Sequence, residues 1–240
     1  MELTFEERIM RYLLLRASIE YDVGLYHGKT GLILFFAHYF RHTGLIVYDD
    51  TCDELMDELK EDIHTEMTIG FASGLSGVGW GIEYLIQNGF VEGDSWEVCQ
   101  EIDQKLMERD PRRITDYTLD NGLEGILHYV LAHIKGTMAQ HAKLPFDETY
   151  LSDLNQALSV LPKDEMSDSL KSLSSAYTSF FANRGEMDYS FQLGSIPDAD
   201  ELKEIAVTDK KDKNYLNSAP LGLKNGLSGY LFQQLKLERP

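Results

Sequence analysis

Cysteine is scarce in this 240-residue chain, which contains only Cys52 and Cys99 and no CxxC pair. This scarcity argues against a disulfide framework and a cysteine-rich zinc knuckle, because both need several closely spaced thiols. No apolar run reaches about 18 residues, so the sequence predicts no membrane-spanning helix. The acidic start, Met1 to Glu7, has no signal-peptide pattern. We therefore expect a cytoplasmic protein without membrane insertion.

Basic residues are also few, with 22 Lys and Arg against 40 Asp and Glu and a formal net charge of −18. Nucleic acids and anionic membranes are polyanions, so this charge disfavours both as main partners. An acidic surface can serve solubility alone. If the surface binds a partner, the same charge favours a cationic peptide.

Glycine, in contrast, forms a repeated phrase of eight positions, with glycine at positions 1, 5 and 8. Three full copies of this glycine phrase start at Gly24, Gly70 and Gly222, and a weaker copy starts at Thr118. The starts are 46, 48 and 104 residues apart, so the last gap leaves room for one degenerate copy near residue 170. Self-similarity at a fixed period indicates a repeat architecture.

An apolar segment follows each glycine phrase, as in residues 32–40, 82–86 and 126–132. A helix that is apolar on most faces is buried between other elements. Acidic, amphipathic segments lie between these, as in residues 52–63 and 96–109, and they have the spacing of outer helices. The sequence thus predicts an all-α fold in which an outer helix, a phrase and an inner helix alternate. Further helices are predicted at residues 3–20, 149–161, 166–183, 198–206 and 226–237.

Glycine before an inner helix lets another backbone approach closely. The first interpretation of the phrase is therefore packing, where the inner helices converge and their entry loops crowd together. The second is that amides at the helix starts face a cavity and favour anions. A phosphate-loop interpretation of Gly24 to Thr30 is poor, because Lys29 follows too few residues and no strand precedes it.

The order Gly-Leu-x-x-Gly-x-x-Gly, repeated at about fifty residues, resembles the lanthionine synthetase C-like family, the lanthipeptide cyclases. The resemblance covers nearly the whole chain and implies a two-layer α/α toroid of inner and outer helices. The family usually has seven helical hairpins, whereas this chain has room for about five. We therefore expect a shortened or partial toroid that forms a single domain over residues 1–240. An open arc would expose two apolar flanks, which favours a homodimer.

The resemblance also implies where chemistry would lie. The family holds zinc with a cysteine in one phrase and a Cys-His pair in the next, and zinc activates a peptide thiolate for addition to a dehydrated serine or threonine. Such a site needs three protein ligands. Positions 3 and 4 of the four copies hold Tyr26-His27, Ala72-Ser73, Asp120-Asn121 and Lys224-Asn225. Only His27 is a zinc-ligand type in its family position, so we expect no metal, no cofactor and no cyclase chemistry.

Three functional interpretations stay open, as does the question of enzymatic activity. The leading one is a lanthionine synthetase C-like pseudoenzyme that binds a peptide or precursor peptide, or assists peptide maturation. The second is an α/α-toroid hydrolase that acts on a sugar through the paired carboxylates of Asp120 and Glu124. The third is a purely structural interaction module.

The catalytic candidates are His27, Asp120 and Glu124. His27 has a reference pKa near 6.5 and suits acid–base chemistry, or it only caps a loop. Asp120 is alternatively a helix N-cap. The candidate ligand-binding residues lie in or beside the phrases, and they are Tyr26, Lys29, Ser73, Trp80, Asn121, Lys224 and Asn225.

Overall fold

The structure is a computed structural model that describes residues 3–64, 66–141, 143–185, 187–190, 193, 196, 208 and 214–237. Every regular element within those ranges is a helix, so the prediction of an all-α fold is confirmed. The α-helices are α1 (Phe5–Arg16), α2 (Lys29–Thr43), α3 (Ile46–Asp62), α4 (Leu75–Gln87), α5 (Ser95–Val98), α6 (Gln100–Met107), α7 (Leu123–Gln140), α8 (Glu148–Ser159), α9 (Asp168–Asn183) and α10 (Leu227–Leu237). Short 3₁₀ helices span Ala17–Ile19, Pro111–Arg113 and Tyr215–Asn217.

Local sequence explains where several helices begin. Before α1, the Thr4 hydroxyl accepts from the N–H of Glu7 at 3.2 Å, and the Glu7 carboxylate accepts from the N–H of Thr4 at 2.8 Å. This reciprocal capping box satisfies two amides that would otherwise lack partners. The Ser167 hydroxyl caps α9 by accepting from the N–H of Leu170 at 2.9 Å. By contrast, α2, α4 and α7 begin after the position-5 glycine of a phrase.

The helices group into two compact units. Unit 1 comprises Met1–His64 and Gln192–Pro240, and α2 packs in it against α3 and α10 while α1 packs against α10. Residues 29–37 of α2 are all buried. This burial confirms that α2 is an inner helix of its unit.

Unit 2 comprises Thr65–Phe191, and its helices α4, α7 and α9 pack in succession, with α8 against α9. Glycines permit the close approach of α4 and α7. A Cβ at Gly79 of α4 would overlap the ring of Tyr129, and a Cβ at Gly136 of α7 would overlap the carboxylate of Glu83. Each helix therefore makes room for a large side chain of the other.

The predicted helices at 149–161 and 166–183 are confirmed as α8 and α9. The helix predicted at 198–206 lies outside the described residues. Among the helices that the structure describes, none is long and apolar enough to cross a membrane. The single domain over residues 1–240, the homodimer and the cytoplasmic location stay predictions.

Candidate functional site at the glycine phrases

One hydrogen bond recurs in all four glycine phrases. The N–H of position 6, the first residue of each following helix, donates to the carbonyl seven residues earlier. The pairs are Lys29 to Asp22 at 2.7 Å, and Leu75 to Thr68, Leu123 to Asp116 and Leu227 to Pro220 at 2.9 Å each. Amides in the first turn of a helix lack intrahelical partners, and here the residue two places before each phrase supplies one. This favours packing over anion binding as the role of the position-6 amides.

Position 5 needs glycine for a steric reason. A Cβ at Gly28, Gly74 or Gly122 would overlap the backbone oxygen of the residue six places earlier. Because the same turn brings that oxygen towards the start of the helix, a side chain cannot fit without opening the turn. The glycine repeat is therefore a requirement of the backbone path.

The phrases meet in pairs within each unit. In unit 1 the N–H of Lys224 donates to the carbonyl of Tyr26 at 3.0 Å. In unit 2 the N–H groups of Phe71 and Ala72 both donate to the carbonyl of Asp120 at 2.9 Å. In both units the acceptor is position 3 of one copy, and the crowding of entry loops is confirmed within each unit.

Position 4 is exposed in every copy, where the residues are His27, Ser73, Asn121 and Asn225. Asn225 has a left-handed backbone with φ of 56°, a conformation that asparagine tolerates better than most residues. The structure thus brings position-4 side chains to the surface above a hydrogen-bonded backbone frame. These exposed residues, with their position-3 neighbours, form the candidate site.

The two units present different chemistry at these positions. In unit 1 the ring of Tyr26 is buried, and the Lys224 ammonium lies 4.6 Å from its centroid in a cation–π contact. The exposed His27 lies beside Tyr26, with 6.3 Å between ring centroids. Unit 2 instead presents Asp120 and Asn121. The unit 1 pair therefore carries basic and aromatic groups, and the unit 2 pair carries acidic and amide groups.

Lys29 is directed to α3 rather than to the phrase surface. Its ammonium lies 2.6 Å from Asp62 Oδ2 and 2.8 Å from Glu58 Oε2. Burial lowers the pKa of Lys29, but the hydrogen bonds and charges of the two carboxylates outweigh burial and raise that pKa. These ion pairs join α2 to α3 and give the buried ammonium of Lys29 two partners within the protein.

Asp120 and Glu124 have separate surroundings. The residue at the N-cap of α7 is Gly122, without a side-chain cap, so the interpretation of Asp120 as the N-cap was wrong. The first amide of α7, that of Leu123, donates to the Asp116 carbonyl, and the Asp120 carbonyl accepts from the other phrase of the unit. Glu124 is buried and accepts from the Ser167 hydroxyl at 2.8 Å. Glu124 therefore links the start of α7 to the start of α9.

Trp80 lies in a buried cluster of unit 2 and is only 2% exposed. Its Nε1–H donates to the Tyr189 hydroxyl at 2.9 Å, and that hydroxyl lies 3.0 Å from His128 Nδ1. Lys135 also donates to the backbone oxygen of Tyr189, at 2.8 Å. Burial lowers the pKa of His128 to about 4, so this imidazole is neutral.

A second buried cluster in unit 2 was not predicted from the sequence. His133 Nδ1 lies 2.5 Å from Glu83 Oε1, and His133 Nε2 lies 2.8 Å from Asp103 Oδ2. The Tyr129 hydroxyl donates to the other oxygen of Asp103 at 2.6 Å. A neutral imidazole donates only one hydrogen bond, so two carboxylate partners require the imidazolium. The available signal was Glu83, a lone acid within an otherwise apolar inner helix.

Electrostatics agree with a charged His133. Burial lowers its pKa, but the hydrogen bonds and charges of Asp103 and Glu83 outweigh burial and raise the pKa to about 9. Burial raises the pKa of Asp103, although His133 and Tyr129 oppose that change. The cluster holds α4, α6 and α7 together by charge-assisted hydrogen bonds.

The cysteines do not fit the zinc set that the resemblance implies. Cys52 is buried on α3 with its Sγ 3.8 Å from the Ile33 carbonyl oxygen, and Cys99 is buried between α5 and α6. Burial raises the pKa of both thiols, that of Cys52 to about 12. Zinc binds the thiolate rather than the thiol. Across the described ranges, no group of three His, Cys, Asp or Glu residues is placed to hold a metal ion.

Comparison with known proteins agrees with the repeat. A family model described as lanthionine synthetase C-like protein matches residues 20–183, which is more than half of the chain. No curated protein matches it. The matched range runs from just before the first glycine phrase to the end of α9. The fold of this family is an α/α toroid, as the resemblance implied. The chain therefore belongs to the lanthionine synthetase C-like family.

Proposed function

We propose that this protein binds a peptide through positions 3 and 4 of its glycine phrases and assists peptide maturation without zinc-dependent cyclisation. The observation that carries the proposal is the exposure of position 4 in all four copies, above backbone turns that are complete without those side chains. Because these side chains are exposed, a ligand can reach them.

The donor set supports the absence of cyclase chemistry. Zinc-dependent activation of a thiol needs three protein ligands and one open position. Positions 3 and 4 offer one histidine, His27, and no cysteine. The two thiols of the chain are buried in other elements with raised pKa values.

Charge supports a cationic peptide as the ligand. The net charge of −18 raises the local concentration of cations around the protein. Unit 2 places Asp120 at position 3, beside the exposed Asn121. A lysine-rich peptide therefore meets a carboxylate and an amide at this phrase pair.

The first experiment measures zinc in the purified protein by elemental analysis after expression with added zinc. We expect far less than one equivalent after dialysis against a weak chelator. One equivalent that survives dialysis would overturn the zinc-free part of the proposal and leave peptide binding to be judged separately.

The second experiment measures binding of a fluorescein-labelled lysine-rich peptide by anisotropy. Asp120→Asn should weaken binding by about twofold to fivefold, the usual effect of a charge pair near the protein surface. Asp164→Asn is the matched control, because Asp164 is exposed, lies outside the phrases and carries the same charge. Equal effects of the two variants would reduce the interaction to overall charge and contradict the proposal.

His27 provides a parallel pair of variants. His27→Ala removes an exposed position-4 side chain, whereas His64→Ala removes an exposed histidine outside the phrases. We expect only the first to weaken peptide binding.

The sugar-hydrolase alternative is favoured by no observation, since Glu124 is buried against Ser167. No specific contact favours the purely structural module either.

A further inference from the structure

A surface pocket of about 530 Å³ lies in unit 2 at the end of α7 that is remote from its glycine phrase. Its lining residues are Asp94, Trp96, Glu97, Gln140, His141 and Lys143. Because α7 has 18 residues, its two ends are about 27 Å apart. The pocket is therefore distinct from the phrase positions that begin the helix.

Asp94 connects two chain segments that line the pocket. One of its carboxylate oxygens accepts from the N–H of Trp96 at 3.0 Å and caps α5. Both oxygens also lie 2.9 Å from His141 Nε2. The carboxylate thus ties the start of α5 to the residue that follows α7. The Trp96 ring, which belongs to α5, therefore lies beside His141.

The Trp96 ring already carries a cation. The Lys143 ammonium lies 5.8 Å from the ring centroid, within the range of a cation–π contact. The His141 ring lies at 5.8 Å from the same centroid, with 52° between the ring planes. Lys143 and Glu97 are both exposed. A flexible, solvent-exposed lysine is an occupant that another cation can replace at low cost.

We propose that this pocket binds the side-chain cation of a basic peptide segment, with Lys143 as its internal occupant in the free protein. The Trp96 face and the carboxylates of Asp94 and Glu97 recognise a lysine or arginine. The pocket volume lies in the range of ligand sites and exceeds what one ammonium needs. The Gln140 amide is placed at its edge to bond the peptide backbone. This site goes beyond the phrase-end function and does not depend on it.

Intrinsic fluorescence reports on this pocket selectively. The chain has two tryptophans, of which Trp80 is buried and Trp96 lines the pocket. Titration with N-acetyl-triarginine amide should therefore change the emission of Trp96. Trp96→Phe should abolish the change and weaken binding measured by calorimetry. Unchanged calorimetric affinity in a folded Trp96→Phe protein would overturn the proposal.

Variants of Lys143 and Lys163 form a matched pair that tests the role of Lys143. Lys143→Ala uncovers the ring and should tighten triarginine binding several-fold. Lys163→Ala removes the same charge from an exposed lysine outside the pocket, and it should change affinity little. An equal increase in both variants would mean long-range attraction alone and would overturn the assigned site. In the same way, Glu97→Gln should weaken binding more than Glu101→Gln, which alters an exposed acid of α6.

Two further arms separate the possible outcomes. Spermidine carries the same charge as triarginine amide but no peptide backbone, so it should bind more weakly. Equal affinity would overturn the peptide assignment.

Asp120→Asn tests the phrase-end site independently. If that variant weakens a lysine-rich peptide while the pocket variants do not affect triarginine, the pocket proposal fails and the proposed function stands. The reverse pattern would overturn the proposed function and support the pocket.

Discussion

His128 and His133 lie five residues apart on α7, and both side chains are buried in unit 2. His128 Nδ1 lies 3.0 Å from the Tyr189 hydroxyl, which also accepts from Trp80 Nε1–H. Around His133 they are the carboxylates of Glu83 and Asp103. The pKa of His128 falls to about 4, whereas that of His133 rises to about 9.

Burial acts on both histidines in the same direction, because a dry interior disfavours the charged imidazolium. The difference comes from the partners. A hydroxyl bonds a neutral imidazole well, whereas two carboxylates at hydrogen-bond distance stabilise the imidazolium more than burial destabilises it. One helix of one unit thus contains a neutral histidine cluster and a charged one, and each can be broken separately.

The largest effect should come from His133→Ala. The substitution leaves Glu83 and Asp103 buried without their shared cation, which costs about 3–5 kcal/mol in comparable cases. Urea unfolding followed by circular dichroism gives the free energy of unfolding. His64→Ala, at an exposed histidine, is the control and should change it by less than about 0.5 kcal/mol. A loss below about 1 kcal/mol for His133→Ala would contradict a charged cluster.

Alkaline pH should also weaken the charged cluster. Above the unfolded-state pKa near 6.5 the native state keeps a proton on His133 that the unfolded state has lost, so stability falls as pH rises towards about 9. The total loss over this window is on the order of 3 kcal/mol. Urea unfolding at several pH values measures it. His133→Gln lacks the titrating group and should have a flatter profile, and parallel profiles would exclude His133 as the cause.

Acid should weaken the neutral cluster. Below pH 6.5 the unfolded state binds a proton that native His128 does not take up until about pH 4, so stability falls as pH decreases. Between pH 6.5 and 5 the expected loss is about 2 kcal/mol. Over this interval native His133 is fully protonated and unfolded His133 becomes so, so its contribution is small and opposite in sign. His128→Asn should remove most of the loss, and a retained slope would assign it to other groups.

The smallest effect should come from Tyr189→Phe, which removes the hydroxyl that contacts both Trp80 and His128. The cost of losing such a hydrogen-bonding group is about 1–2 kcal/mol. Tyr21→Phe is the control, because Tyr21 is 87% exposed. We also expect Tyr189→Phe to shift the buried Trp80 emission. If neither stability nor emission changes, the hydroxyl does not link the two residues in solution.

Helix positions were predictable because apolar spacing is a local property of the chain. The segments at 149–161 and 166–183 were placed within two residues of the ends of α8 and α9. The resemblance also directed attention to positions 3 and 4, of which position 4 is exposed in every copy. Local pattern was sufficient for these features because the turn at each phrase is closed by residues close in sequence.

The ion-pair and hydrogen-bond partners of the candidate residues were not predictable, because they depend on contacts between residues distant in sequence. Lys29 was expected near a ligand and is paired with Glu58 and Asp62 about 30 residues further along. Glu124 was paired with Asp120 by spacing, but it contacts Ser167. No helical period encodes such contacts, which arise only when the helices of each unit pack together.

The backbone turn of the glycine phrase has an evolutionary consequence. Its recurring hydrogen bond joins main-chain atoms, and positions 3 and 4 hold four different residue pairs on the same path. Mutation can therefore exchange most of these side chains without breaking that bond, whereas the left-handed backbone at Asn225 restricts the choice there. A lineage can lose a metal ligand, or acquire a new recognition surface, while the protein still folds. The backbone path of the phrase can therefore be kept while the residues at positions 3 and 4 change.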